Sequence, residues 1–559
     1  MAKRKGRKGR PAPEEVEEED KGTNPPTAGP IQQMEEVLGR RSYRLAVPIV
    51  IFLLSLGVSI FAFDKKLSLT GDNTEFIILA RGLAQGEGMS LINYPTPKVS
   101  TKYPFGFPVL LAPVAMLFDA NAEPGAMADW LAMKWLVVVM FCAAMVVLYH
   151  LVTDQWGRVP ALAVTGLTLT NSLVVDYGHQ VMSEVPFILF SLLALFCLER
   201  SMKRAAIIDN YWLMAGFAFM MWAYYVRSMG VVLVGAVIIY VAQQRQFRKA
   251  LALALSAVVV ALPWTLRNRA VGSGTVYLKQ LILQNPYYPD RGMVGFVDYV
   301  ERLSYNVLTY VARDIPAALW PYFQPTIPFH AWDPQNIEIL SPLSLVVLTL
   351  SAYAIALSVT RGLHLLLLNY LILSIGILIV WPWTSDRFLI PIVPLMTLFT
   401  LRVVTDVARR VGTRLGQGAS SGVIAVALIG LLAMNASGLD IAAAAAKTNY
   451  PANFRQYYAA GQWIKENTSR NAVVCGRKPF WMHVVSGRKC VPYVFKEPPE
   501  VLASLEENGV DFVVVGQLSR TTFKHLVPTV VAFPERFEQV WSRPDPKTWV
   551  FGFHRPAQP

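Results

Sequence analysis

The chain has 559 residues, of which 54% are hydrophobic and only 16% charged, with a mean hydropathy of +0.38. This excludes an ordinary soluble globular protein of such length and points to a polytopic membrane protein, whose outer surface must suit lipid rather than water. The net charge of +13 is concentrated in short basic clusters beside apolar runs, where it bears on membrane orientation and anionic headgroups more than on nucleic acid.

The first segment, 1–44, joins a basic block (KRKGRKGR) to an acidic, Pro-rich one (PAPEEVEEEDKGTNPPTAGP). It has almost nothing to bury, so it reads as a disordered cytoplasmic tail. No cleavable signal pattern stands before the first apolar run. A bilayer core about 30 Å thick needs roughly 20 apolar residues per helix. Candidate spans follow at 45–63, 131–151, 159–176, 183–199, 211–226, 229–243, 250–264, 342–360, 363–380, 387–405 and 421–438. The expected fold is therefore a mainly α polytopic membrane helical bundle of about eleven spans over 45–438, with external loops 64–130 and 265–341. The stretch 105–118 carries Pro108 and Pro113 and about 14 apolar residues, so it reads as a short interfacial helix.

Orientation follows from the basic loops. Arg40, Arg41 and Arg44, then Arg200, Lys203 and Arg204, then Arg245, Arg248 and Lys249, then Arg409, Arg410 and Arg414 all fall on the side of the N-terminus when 105–118 is left out of the spans. The positive-inside rule places that side in the cytoplasm of a cell's inner or plasma membrane, with the C-terminus external or periplasmic. Several charges then stand at outer span ends: Asp72, Glu75, Lys102, Glu184, Arg227, Arg267, Asp386 and Arg387. An ionised group there is costly and ordinarily faces a protein interior or a water-filled cavity. Converging cations of this kind suit a phosphate.

The last segment, 439–559, changes character. AAGQWIKENTSRNAVVCGRKPFWMHVVSGRKCVPYVF reads as helix, strand, helix, strand, and VLASLEENGVDFVVVGQ as helix, turn at Asn508-Gly509, strand. It is a small exported α/β domain with its own core. No glycine-rich phosphate loop of either dinucleotide or nucleotide type occurs, which disfavours a nucleotide-sugar donor. The four cysteines and seven histidines show no zinc-type spacing, and no cofactor is required by any motif, although outer carboxylates could hold a divalent ion through waters. Cys142 and Cys197 read as small core residues, whereas Cys475 and Cys490 flank neighbouring strands in an oxidising compartment and are candidates for a disulfide.

Five segments, in order, carry a resemblance: TGDNTEFIILARGLAQGEG followed by TKYPFGFPVLLAP, HQVMSEVPFILFSLLAL, YYVRSMGVVLV, LPWTLRNRAVGSG and SDRFLIPIVPL. Together they resemble the GT-C polyprenyl-phosphate-sugar glycosyltransferases, the group of the protein O-mannosyltransferases and the lipid A aminoarabinose transferase. The chain departs from that pattern with Asp72-Asn73 and Phe76 where Asp-Glu and a Tyr are frequent, and with Pro104-Phe105 where a double proline is frequent. The resemblance implies a membrane glycosyltransferase, hexosyl- or pentosyl-, that takes a sugar from a polyprenyl-phosphate donor to a lipid, glycan or protein acceptor on the outer face.

The chemistry itself needs a base for the acceptor hydroxyl and cations for the departing phosphate, both at the membrane surface. Asp72 is the candidate base, Glu75 or Glu184 a second carboxylate that orients acceptor or sugar, and Lys102, Arg227, Arg267 and Arg387 the candidate phosphate ligands. Simpler readings stand beside these. Asp72 and Glu75 form a D-x-x-E helix start, Glu184 opens a span with Pro186 in its first turn, and Arg227 and Arg387 could snorkel to headgroups. The competing functional class is a transporter or flippase of lipid-linked sugar, which ordinarily shows internal repeats, and none is found here. A structural assembly subunit is the third.

Overall fold

The computed structural model describes residues 30–555 apart from 70, 121, 123–125, 203–209, 273–275, 287–290 and 321–363; within the last stretch only 349, 352–354, 356, 357 and 360 are described. Residues 1–29 of the expected tail, and most of the expected span 342–360, lie outside these. The chain is helical from Pro30 onward, not disordered to residue 44: α1 covers Pro30–Gly39 and α2 Arg41–Phe61. The reason is a long-range contact. Glu35 Oε1 accepts from the Val159 amide at 2.7 Å and its other oxygen lies 3.7 Å from Arg158, which satisfies an amide at the start of a helix that has no intrahelical partner.

After α2 come α3 (Gly71–Ala84), the two-residue strands β1 (Ser90–Leu91) and β2 (Lys98–Val99), α4 (Gly106–Leu117) and α5 (Asp129–Trp156). Then follow α6 (Arg158–Leu169), α7 (Ser172–Tyr177), α8 (Glu184–Ser201), α9 (Tyr211–Val226), α10 (Gly230–Gln243) and α11 (Phe247–Ala270). Further helices lie at Leu365–Val380, Val393–Leu415 and Gln417–Lys447. Among the described residues five helical segments are long and apolar enough to cross a membrane: Arg41–Phe61, Asp129–Trp156, Phe247–Ala270, Asp386–Leu415 and Gln417–Asn467. The 12-residue α4 rises only about 18 Å and is too short to cross. The expected span 159–176 is broken in two, because Asn171 Oδ1 accepts from the Val174 amide at 3.1 Å and starts α7 afresh, while its Nδ2 donates to Ala318 O at 2.8 Å.

Burial sorts the helices. α8 is apolar all round and buried on nearly every side, including Val185, Phe187, Leu192 and Leu195, so it stands in the middle of the bundle. α2 turns Leu45, Ile49, Leu53 and Ile60 outward, as does Gln417–Lys447 with Val426 and Ile429. Such exposed apolar faces suit lipid. Between α3 and the start of α5, Arg81 makes a bidentate pair with Asp129, Nε to Oδ2 at 2.7 Å and Nη2 to Oδ1 at 2.8 Å, both residues buried. The pair ties the last turn of α3 to the first turn of α5 and leaves neither charge uncompensated.

Beyond Lys447 the chain forms the helix Ala452–Asn467 and a five-stranded sheet of β3 (Val473–Cys475), β4 (Lys489–Val491), β5 (Phe512–Val515), β6 (Phe537–Arg543) and β7 (Thr548–Phe553), in the order β4-β3-β5-β7-β6. β4, β3 and β5 are parallel, as the crossover helices Pro479–Ser486 and Pro498–Glu507 require, and β5, β7 and β6 are antiparallel. Cys475 and Cys490 are free, against the disulfide considered from sequence. In the β3–β4 register Cys490 lies opposite Val474 and Cys475 opposite Val491. Side chains alternate faces along a strand, so the two thiols point to opposite sides of the sheet.

Candidate active site

The site gathers where span ends meet the loop after α2. α3 is buried along most of its length, from Asn73 to Gly82, because it is covered by α4 on one side and by the helix Pro479–Ser486 on another. Its first turn therefore holds Asp72 and Glu75 in fixed positions. Lys102 and Tyr103 arrive from the segment between β2 and α4, whose seat depends on Gly106. A Cβ there would come within 2.6 Å of the Tyr225 backbone, so only glycine lets the loop lie against the end of α9. Arg227 sits in the tight turn between α9 and α10. At Gly230 a Cβ would fall 2.4 Å from Tyr224 Cα. Glu184 is the first residue of α8, after Ser183. Arg387 is carried by the 3₁₀ turn Asp386–Ile392, where its amide donates to Asp386 Oδ1 at 2.7 Å and to Ser385 Oγ at 3.3 Å.

These side chains form one continuous ionic network. Lys102 Nζ lies 2.7 Å from Glu75 Oε2 and 3.4 Å from Asp72 Oδ1. The Tyr103 hydroxyl donates to Asp72 Oδ1 at 2.5 Å. Arg387 bridges two acids, with Nη1 3.0 Å from Asp72 Oδ2 and Nε 2.6 Å from Glu184 Oε1. Arg227 Nη1 reaches the same Glu184 oxygen at 2.9 Å and donates to Ser183 Oγ at 2.9 Å. The Arg387 guanidinium also lies 6.0 Å from the Tyr177 ring centroid. Three carboxylates and three cations are thus chained as Glu75–Lys102–Asp72–Arg387–Glu184–Arg227.

Exposure is uneven along the chain of charges. The Glu184 side chain has no exposed surface and that of Glu75 only 4%, whereas Asp72 shows 30% and Lys102 45%. The wet end, at Asp72 and Lys102, is where a ligand can enter; the dry end holds the arginines in place. Burial pushes the Asp72 carboxyl up, but Lys102, Arg387 and the Tyr103 hydroxyl outweigh it and hold the group at about 2. Glu75, one helical turn further in, goes the other way: burial raises it above its ordinary value, and Lys102 offsets this only in part. Two carboxyls side by side are in this way driven apart in basicity.

The helix-capping reading of Asp72 and Glu75 gives way here. α3 already begins at Gly71, and both carboxylates are engaged by side chains from other elements. Snorkelling of Arg227 and Arg387 gives way as well, since both are held by Glu184 and point into the protein. Arg267 is not brought into the network. Its Nη1 donates to Ser100 O at 2.7 Å and to Asn268 Oδ1 at 2.9 Å, and its guanidinium lies 4.6 Å from the Trp264 ring centroid. It braces the loop two residues before Lys102. Tyr103, Tyr177 and Ser183 were not singled out from sequence. Tyr103 stands directly after Lys102 in TKYPFGF, and that adjacency was the available signal.

Among the described residues no three His, Cys, Asp or Glu side chains come together in a way that could hold a metal ion. Lys102 and Arg387 bond to both oxygens of Asp72 and to one oxygen each of Glu75 and Glu184.

Residues 104–266 match the family model described as dolichyl-phosphate-mannose-protein mannosyltransferase. A search of curated protein sequences found no match. Two solved structures superpose over nearly the whole chain. ArnT from Cupriavidus metallidurans, bound to undecaprenyl phosphate, has a TM-score of 0.56 at 14% identity, over 93% of this chain and 99% of that one. The archaeal oligosaccharyltransferase AglB from Archaeoglobus fulgidus, in complex with an inhibitory peptide and a dolichol-phosphate, has 0.55 at 12%, over 92% of this chain and 75% of that one. The chain shares the fold of these structures, which, like the matched family model, belong to the GT-C glycosyltransferases. Of the network, Glu184 and Arg227 fall within the residues matched to the family model, while Asp72, Glu75 and Lys102 precede them and Arg387 follows. The six residues of the network therefore come from the matched segment and from both sides of it.

Proposed function

We propose that this protein transfers a sugar, hexose or pentose, from a polyprenyl-phosphate donor to a lipid, glycan or protein acceptor at the outer face of the membrane. The observation that carries the proposal is the six-membered ionic chain, open at Asp72 and Lys102 and closed at Glu184. In the resting site the cations are neutralised by carboxylates. A lipid phosphate brings a competing anion: Lys102 and Arg387 turn partly to the phosphate, with Arg227 behind them, and Asp72 loses the partners that hold its basicity down. Asp72 then takes the proton of the acceptor hydroxyl. The acceptor oxygen bonds to the anomeric carbon, the bond from that carbon to the phosphate oxygen breaks, and its electron pair leaves on the lipid phosphate, stabilised by the cations.

The undecaprenyl phosphate and dolichol-phosphate in the ArnT and AglB structures support a lipid-linked donor by likeness of fold. The proposed mechanism routes no step through a metal. Turnover of the purified protein on a polyprenyl-phosphate-sugar should accordingly survive excess chelator, and its abolition, with recovery on adding Mg²⁺ or Mn²⁺, would overturn that part. In a deletion strain, mass spectrometry should find donor lipid accumulating beside unmodified acceptor. Donor confined to the inner leaflet would instead favour a flippase.

The basic loops support a bundle of about eleven spans with the N-terminus cytoplasmic and the unit 439–559 outside. A tag at Pro559 should be cleaved by protease added to intact cells or spheroplasts. Cleavage only after the inner face is opened would overturn this topology.

A further inference from the structure

The C-terminal unit touches the loop that bears Asp72 and Glu75 on both sides of α3. Before the helix, Lys66 Nζ donates to Ala446 O at 2.9 Å, the Leu67 amide donates to the Tyr450 hydroxyl at 2.8 Å, and Lys478 Nζ donates to Leu69 O at 2.5 Å. After it, Lys489 Nζ donates to Ile92 O at 2.8 Å, Asn93 Nδ2 to Cys490 O at 2.8 Å, and the Cys490 amide to Asn93 O at 2.5 Å. β4 is an edge strand of the sheet, and Asn93 occupies its otherwise open side, pairing with it much as a further strand would. Between these contacts the helix Pro479–Ser486, with Trp481 buried, lies on α3 itself.

We propose that the C-terminal unit is a positioning device for the transfer reaction and that Lys478 is its principal positioning residue. This rests on the transferase reading above. The argument is geometric. Leu69 is three residues before the candidate base, and its carbonyl is held by a side chain one residue before a helix that packs on α3. A base must be placed to within a fraction of an ångström, and misplacement of about 1 Å can cost about 10²-fold in rate. The network alone does not set that placement, because Lys102 and Arg387 turn partly to the phosphate and only the Tyr103 hydroxyl stays wholly with Asp72. At that moment the backbone contacts of Leu69 and Asn93 are what keep the base in register. The unit can act in this way because Val474, Cys490 and Val514, on one face of its sheet, join the core shared with the membrane bundle.

The test uses the full-length protein with a polyprenyl-phosphate-sugar that the wild type turns over. Lys478→Met keeps the aliphatic stem beside Phe454, whose ring centroid is 5.1 Å from Nζ, and removes the donor to Leu69 O together with the charge over that ring. It should lower kcat about tenfold or more while leaving the donor KM and the melting temperature near wild type, and Lys478→Arg should recover most of kcat. Asn93→Ala, which breaks the other flank, should also lower kcat, and its effect should be less than multiplicative with that of Lys478→Met, since both release the same helix. Unchanged kcat in Lys478→Met overturns the proposal. So does a fall in kcat accompanied by equal loss of melting temperature and no recovery with Arg, which marks a purely structural contact. Absence of turnover in the wild type itself would count against the transferase reading instead.

Discussion

Asp72→Asn should reduce turnover by about 10² or more, the usual scale for a positioned base, while expression and detergent stability stay close to wild type. Asn keeps the size of Asp, and its single amide oxygen can still accept from either Tyr103 or Arg387, so most of the local packing around the network survives. The proton acceptor and the charge between Lys102 and Arg387 are lost. Glu75→Gln should cost less, and it should act through Lys102, whose Nζ rests 2.7 Å from the Glu75 carboxylate. The pH profile separates the two acids. With Asp72 held at about 2, it stays ionised through any working range, and its charge is lost only as pH falls towards that value. Glu75, raised by burial above its ordinary 4.5, takes up its proton first on acidification. The acid limb of kcat/KM, which reports the free enzyme, should therefore belong to Glu75 and be absent in Glu75→Gln. Wild-type turnover of purified Asp72→Asn would remove the carboxylate from the chemistry, and an acid limb unchanged in Glu75→Gln would remove Glu75 from the profile.

Arg387→Ala should fail in two ways at once, although a surface arginine at a span end would be removed at little cost. Glu184 has no exposed surface and shares one oxygen between Arg387 and Arg227, while its Oε2 has no hydrogen-bond partner. Removing one partner of a buried ion pair typically costs about 3–5 kcal/mol, because the remaining charge is left in a medium that solvates it poorly. Arg227 retains part of that compensation, so the lower end of the range is expected. Donor use should fall together with stability, since the same guanidinium is the bridge to Asp72. Adding Glu184→Gln to Arg387→Ala separates these effects. The neutral amide no longer needs a counter-charge, so the double variant should regain most of the lost melting temperature without regaining turnover. A double variant that regains both would reduce Arg387 to a structural counter-ion. A stable, fully active Arg387→Ala would remove it from the site altogether.

The helices were legible at most of the expected places because lipid leaves a chain few options. A backbone that cannot bond to water must bond to itself over a local stretch, so long apolar runs such as those that became α5 and α11 announce their structure by composition. The site was legible for a related reason. Ionised groups at span ends are expensive unless used, so Asp72, Glu75, Lys102, Glu184, Arg227 and Arg387 stood out before any contact was known. Where the reading missed, a distant partner had intervened. The tail is helical from Pro30 because of Glu35 and the start of α6, the span 159–176 is interrupted because Asn171 caps α7 and bonds to Ala318, and Arg267 is drawn to Ser100 instead of the network.

What the sequence by itself determined is therefore the class of solvent, the mainly helical build and the inventory of charges from which a site must be made. All three depend on local composition and on the cost of burying polar groups. Which charges meet was decided only by the tertiary structure. Arg387 lies 315 positions along the chain from Asp72 and 203 from Glu184, and no local periodicity connects them. The same holds for Asn93 and Cys490, 397 positions apart, and for the two thiols placed on opposite faces of one sheet. Such pairings cost loop-closure entropy and are stabilised only when many helices pack together, so they exist in the assembled fold and in no segment of it.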